Sequence, residues 1–211
     1  MKWSWSNTRF IWLLMVFCLG RADSLWAGEP LDVVKKAAEA AIAVLRDPRL
    51  KAPDQKTERI ERLKEIINPI FDYEEMARRS LGQHWRRRTP AERQEFAGLF
   101  HAFLEKVYSD RVDLYDGQKV TFGREIIDQN YAQVESTLIT SKGEEVSVVY
   151  RLKRTQGRWK VYDAVVENIS IVNNYRSQFT RIIREVTYTG LVKKMKIKAV
   201  AVKVFEKSPS P

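Results

Sequence analysis

The spacing of apolar residues changes from helical to alternating at Asp116-Gly117, and that switch restricts the possible folds more than any single motif. Before it, apolar residues recur at helical intervals; after it, they alternate as far as about Ser170. Val34, Ala38, Ala41, Ile42 and Leu45 predict a helix closed by Asp47-Pro48, and Ile60, Leu63 and Ile67 a second one broken at Asn68-Pro69. Asp72, three residues before Glu75, marks a capping-box-like start for a short helix through about Leu81. Thr89-Pro90-Ala91-Glu92 combines an N-cap, a proline at the first helical position and a capping-box glutamate. Phe96, Leu99, Phe100, Phe103, Leu104, Val107 and Tyr108 then give that helix one wide, aromatic-rich face.

Beyond the switch, Val120, Phe122 and Ile126 predict a first strand, and Ala132, Val134, Ser136 and Leu138 a second. Val146, Val148, Tyr150 and Leu152 alternate with polar residues to give a third, and residues 159–167 a fourth. Ser141-Lys142-Gly143 and Thr155-Gln156-Gly157 have the length and glycine content of hairpin loops. Ser170 caps a further helix carrying Val172, Tyr175, Phe179, Ile182 and Val186, and a last helix starts near Gly190-Leu191. From Lys193 the chain is lysine-rich and reads as frayed. The expectation is an α+β fold: a four-stranded curved antiparallel meander packed on several helices. It occupies a single domain over 28–200, with a basic tail at 201–211. Ala132, Ser136 and Ala164 place small side chains among large ones, which leaves room for an apolar pocket inside an NTF2-like or cystatin-like cone.

The N-terminus speaks to compartment. Lys2 and Arg9 precede the apolar run Phe10 to Leu19, and Ala22 and Ala27 each offer a small residue for cleavage. These are the parts of a secretory signal peptide, residues 1–27, and the run falls short of the roughly 20 residues needed to span a bilayer. Cys18, the one cysteine, follows the bulky Phe17 and makes a poor lipoprotein site. Its removal leaves no thiol chemistry. Cleavage after Ala27 removes Lys2, Arg9, Arg21 and Asp23, so the formal charge falls from +10 to +8. For an exported chain, that excess points to anionic lipid or an acidic protein partner rather than nucleic acid, with simple solubility as the plain alternative.

Convergent reactive groups are scarce. His84 lies beside Arg86-Arg87-Arg88, where repulsion disfavours its cation, and His101 falls off the apolar stripe and is expected to face solvent. Neither has a histidine partner at helical metal-site spacing, so no metal or cofactor is expected. The sequence also lacks GxSxG, GxxxxGK[ST] and GxGxxG. Asp163, mid-strand among apolar residues, has two readings: a general base in a cavity, or a structural carboxylate held by a cation or by backbone N–H groups at a strand irregularity.

Phe71-Asp72-Tyr73-Glu74-Glu75-Met76-Ala77, Leu81-Gly82-Gln83-His84-Trp85 and Thr89-Pro90-Ala91-Glu92-Arg93-Gln94-Glu95-Phe96 resemble a pattern found in the MlaC/Ttg2D family. Trp159-Lys160-Val161-Tyr162-Asp163 and the run Ile169-Ser170-Ile171-Val172-Asn173-Asn174-Tyr175-Arg176-Ser177-Gln178-Phe179 resemble two further signatures of it, and all occur in the family's order. Asn168 and Thr187 stand where the family commonly has glycine. The resemblance implies a non-enzymatic periplasmic phospholipid carrier, with acyl tails inside the protein and the headgroup near solvent. It also implies exchange between an outer-membrane lipoprotein–porin complex and an inner-membrane ABC transporter complex, serving outer-membrane lipid asymmetry, by a monomer that approaches membranes transiently. A hopanoid is the alternative cargo, and an NTF2-like enzyme using Asp163 the alternative activity. A third reading is an interaction module that docks on membranes through Arg78, Arg79, Arg86, Arg87 and Arg88. On the carrier reading, Phe100, Phe103, Leu104, Val107 and Tyr108 form one wall of the pocket. Val134, Leu138, Val148, Tyr150 and Leu152 form the other, and Val165, Ile169, Val172 and Tyr175 close it, subject to any bulge that reverses strand parity.

Overall fold

The computed structural model describes residues 30–197. The expected signal peptide, 1–27, and the tail, 201–211, lie outside the described residues.

Among the described residues, four α-helices precede the sheet: α1 (Pro30–Arg46), α2 (Lys56–Ile67), α3 (Tyr73–Leu81) and α4 (Pro90–Ser109). Their ends follow local chemistry. Thr89 and Glu92 form the full reciprocal capping box of α4, with Pro90 at its first turn. Asp72 caps α3 by accepting from the Glu75 N–H at 3.0 Å. Glu75 does not return the bond; its carboxylate turns to Arg78 and Arg79.

Five strands follow: β1 (Lys119–Asp128), β2 (Tyr131–Ile139), β3 (Glu145–Thr155), β4 (Arg158–Val166) and β5 (Ile169–Ser170). They lie side by side in chain order, each antiparallel to the next. The four expected strands are present, and the two-residue β5 makes the sheet five-stranded. It forms because Glu167 (φ 47°) and Asn168 (φ 64°) both adopt left-handed backbone, the geometry of a tight hairpin turn. The part of β4 that β5 does not cover is sheltered by the α2–α3 connection. There Val161 N–H donates to Ile70 O and Asp72 N–H donates to Val161 O, each at 2.8 Å.

Two bulges redirect side chains. In β1, Phe122 pairs with Ser136 but Glu125 pairs with Val134, so one extra residue is inserted. Ile126 therefore leaves the face of Val120 and Phe122 and is 38% exposed, contrary to the single-face expectation. Glu125 takes the inner face instead and accepts from the Leu31 N–H at 2.6 Å, satisfying one of the free donors in the first turn of α1. In β4, Val161 pairs with Leu152 while Asp163 pairs with Arg151, a second one-residue shift.

The last helix, α5 (Ile171–Lys196), is interrupted at Val186 and Thr187, where φ reverses to 68° at Thr187. This is the expected division between two helices. Residues 193–196 continue this helix rather than fraying. Leu191, Val192 and Met195 are buried, and Lys196 pairs with Glu95 at 2.7 Å, so the apolar side of this segment is anchored on the other helices.

The buried residues form two separate clusters. One is aromatic and helical, joining Met76, Phe96, Phe100, Tyr175, Phe179 and Leu191 from α3, α4 and α5. Several of its rings meet edge to face, as Phe96 and Phe179 do at 5.7 Å. The other lies between α1 and the sheet and joins Val34, Ala132, Val134, Leu152, Trp159 and Val161. Phe71 packs against both.

Candidate functional site

Between these two cores lies a cavity of about 360 Å³. Val34, Ala37, Ala38 and Ala41 of α1 cover one side at i, i+3, i+4 and i+7 spacing. Leu104, Val107 and Tyr108, with Arg111 just past the helix end, present the same spacing from α4. Ile67, Ile70, Phe71, Tyr73 and Met76 contribute from the α2–α3 region, Tyr150 and Ala164 from the sheet, and Ile171 and Tyr175 from α5. A second chamber of about 400 Å³ continues along α1 past Ile42 and Leu45, against Leu63, Val112, Leu114, Val120 and Leu138. The two share Ala41, Ile67, Tyr108 and Arg111 as common wall. Volumes of this size fall within the range of small-molecule sites, and both linings are dominated by apolar side chains.

The residues expected on the two walls separate into three groups. Leu104, Val107, Tyr108, Tyr150 and Tyr175 line the first chamber, and Tyr108 and Leu138 the second. Phe100, Phe103 and Val172 pack into the helical core behind it, while Val134 and Leu152 lie in the core under α1. Val148, Val165 and Ile169 line neither chamber. The β4 bulge accounts for Val165: Ala164 pairs with Tyr150 on the cavity side, so Val165 pairs with Val149 on the opposite face. Ile169, at the turn into β5, is 45% exposed.

The lining that sequence reasoning did not assign to the site includes the α1 alanines and the α2–α3 residues Ile67, Ile70, Phe71, Tyr73 and Met76; for the alanines a sequence signal exists. Their signal is legible in retrospect: alanines on an inward helix face, where leucine would close the core, leave volume unfilled. Of the small sheet residues, only Ala164 borders the cavity; Ala132 packs under α1, and the Ser136 hydroxyl donates to Val148 O at 3.1 Å.

Polar groups around the cavity are few. The hydroxyls of Tyr108 and Tyr175 are buried without a hydrogen-bond partner in the protein. Burial pushes both phenols above their ordinary pKa, so they remain protonated donors. The Tyr73 hydroxyl donates to Asn68 Oδ1 at 3.0 Å. His101 does not simply face solvent. Its ring stacks on Tyr73 with centroids 3.8 Å apart, and its Nε2 lies 3.2 Å from Glu105 Oε1. The His84 pKa is lowered, first by burial and then by Arg87, Arg88 and Arg184.

Asp163 lines neither chamber. It is 2% exposed and accepts from Ser170 Oγ at 2.7 Å, Val172 N–H at 3.1 Å and Arg151 Nη1 at 3.2 Å. That is the structural carboxylate at a strand irregularity, tying the β4 bulge to the first turn of α5. The basic run is also partly committed to structure. Arg78 and Arg79 bind Glu75, Arg79 lies 4.0 Å from the Tyr162 ring centroid, and Arg88 lies 4.4 Å from that of Tyr188. Among the described residues, no cluster of His, Cys, Asp or Glu is arranged to hold a metal, and no helix is long and apolar enough to cross a membrane.

A family model described as MlaC protein matches residues 35–197. The intermembrane phospholipid transport system binding protein MlaC of Haemophilus influenzae is 24% identical over 132 residues, covering 60% of this chain and 62% of that protein. The toluene tolerance protein ttg2D of Pseudomonas putida is 24% identical over 155 residues, covering 72% of each. The fold also matches the phospholipid-binding protein from Ralstonia solanacearum, solved in complex with a phospholipid. That comparison has a TM-score of 0.70 and 23% identity, over 81% of this chain and 97% of that one.

Proposed function

The chain belongs to the MlaC family, and from that premise we propose that it is an exported, non-enzymatic phospholipid carrier whose cargo places its acyl chains in the two adjoining chambers. The observation that carries the reading is the cavity itself: apolar walls from α1, α4, α5 and the sheet surround space that the two cores do not fill. Burying a methylene is worth about 0.8 kcal/mol, so two acyl chains of roughly 30 methylenes represent on the order of 20 kcal/mol of transfer that water opposes. Apolar walls offset that cost without the strong polar anchors that would prevent release.

On this reading the lipid-contacting residues are Leu104, Val107, Tyr108, Leu138, Tyr150 and Tyr175, together with the alanine face of α1. Phe100, Phe103, Val134, Leu152 and Val172 hold those walls from behind. The carrier works in the periplasm, after cleavage at Ala22 or Ala27. It exchanges lipid between an inner-membrane ABC transporter complex and an outer-membrane lipoprotein–porin complex. The names of the Haemophilus and Pseudomonas relatives, the signal-like N-terminus and the apolar-lined volume support this assignment.

Native mass spectrometry of the protein purified after export tests it. A mass increment matching a diacyl phospholipid, lost on delipidation and regained on incubation with vesicles, is the expected result. A chain that arrives lipid-free and takes up nothing would falsify the carrier reading, and an increment matching a hopanoid would change the cargo.

A further inference from the structure

Resting on the carrier reading, we infer that the wall shared by the two chambers is a branch-point station, where the Tyr108 hydroxyl donates to an ester carbonyl of a diacyl lipid. Of the four residues bordering both chambers, Ala41 and Ile67 are apolar, whereas Tyr108 and Arg111 carry hydrogen-bond donors. Donors are costly in an apolar cavity unless something accepts from them. The Tyr108 hydroxyl is buried and has no acceptor in the protein, as is the case for Tyr175, whereas Tyr73 on the same cavity donates to Asn68. A hydroxyl kept buried and unpaired in a lined cavity is explained if the ligand supplies the acceptor.

The position fixes which acceptor this is. A lipid with one chain in each chamber has its branch where the chambers meet. In a diacyl glycerolipid the groups next to the branch are the two ester carbonyls, both acceptors and neither a donor. Tyr108 and Arg111 stand one helical turn apart at the end of α4, with the Arg111 N–H donating to Tyr108 O at 3.0 Å, so both side chains leave the same end of the helix. Arg111 also bears on Tyr175, the fully buried cavity tyrosine whose hydroxyl is likewise unpartnered. The lipid class that fits is therefore two-chained and ester-linked. A dialkyl ether lipid of equal length fills the chambers but lacks the projecting carbonyl oxygens, keeping only ether oxygens in line with its chains, so the hydroxyl loses the acceptor this station is inferred to bind.

The experiment measures competition by diester and diether phosphatidylglycerol of matched chain length, which share headgroup and phosphate, for the delipidated wild-type protein and Tyr108→Phe. The wild type is expected to prefer the diester by about fivefold, the scale of one net hydrogen bond. Tyr108→Phe should lose that preference, bind the diether as the wild type does, and melt at the same or a higher temperature when lipid-free. Equal affinity of the wild type for both lipids, or a diester preference that persists in Tyr108→Phe, overturns the station and assigns headgroup or phosphate as the recognised group. Failure of the wild type to bind either lipid overturns the carrier reading instead.

Discussion

The Asp163 carboxylate accepts a 2.7 Å hydrogen bond from the hydroxyl of Ser170, so the bulge of β4 is tied to the N-cap of α5. The same carboxylate takes the Val172 N–H, one of the free donors of that helix, and lies at its positive end. Asp163→Ala leaves these donors and Arg151 without a partner. We expect a loss of about 2–4 kcal/mol in urea unfolding, with lipid loading retained wherever the variant is folded. Unchanged stability would refute the structural role, and loss of loading in a stable variant would return Asp163 to the site.

Glu75 sets a second expectation, in acid. Burial works to raise its carboxyl, but hydrogen bonds from Arg78 and Arg79 outweigh burial and hold it at about 2, against an ordinary value of 4.5. A depressed carboxyl contributes stability that is fully present above the unfolded pKa and is lost as pH falls through the folded one. Up to about 3 kcal/mol should therefore disappear between roughly pH 5 and pH 2. Glu75→Gln should be less stable at pH 7 and show a flatter profile across that window. A profile parallel to wild type would show that other carboxylates carry the acid sensitivity.

How much of this was legible beforehand depended on the range of the interactions involved. The capping box at Thr89 and Glu92 and the period change after Asp116-Gly117 are local, and α4 and the meander follow from them directly. Bulges are not local. Ile126 and Val165 obey perfect alternation in the sequence, yet one inserted residue in each strand moves both off the inner face. The cavity was legible in part. Leu104, Val107 and Tyr108 could be assigned from helical spacing, but Ala37, Ala38 and Ala41 reveal unfilled volume only once α1 is placed across the sheet. His101 is a similar case: its stacking on Tyr73 depends on how α3 meets α4.

Thr187 occupies backbone that glycine usually holds, with φ 68° and ψ 173°. A β-branched residue there stores on the order of 1–3 kcal/mol of strain. Thr187→Gly relieves it, offset by the greater freedom of glycine in the unfolded chain, about 0.5–1 kcal/mol. Scanning calorimetry of the lipid-free protein should show Tm rising by about 2–4 °C. A fall in Tm would mean that the Thr187 hydroxyl, 3.5 Å from the Gly190 N–H, matters more than the strain.

Ala41 borders both chambers, which makes Ala41→Leu a direct test of cavity volume. The larger side chain enters space that the lipid-free protein leaves open, so Tm without lipid should hold or rise. Co-purifying phospholipid, quantified by mass spectrometry, should fall several-fold. Full loading in Ala41→Leu would place the cargo elsewhere.

The separation of the aromatic helical core from the core under α1 has a consequence for how the molecule answers compression. The gap between them is an apolar pocket that exists only in the folded chain, and unfolding abolishes whatever part of it water leaves empty. Hydrostatic pressure favours whichever state occupies less total volume, and its leverage scales with the internal void that unfolding removes. A lipid-filled protein has less void to surrender, so high pressure should unfold the unloaded form first and thereby report how full the carrier is.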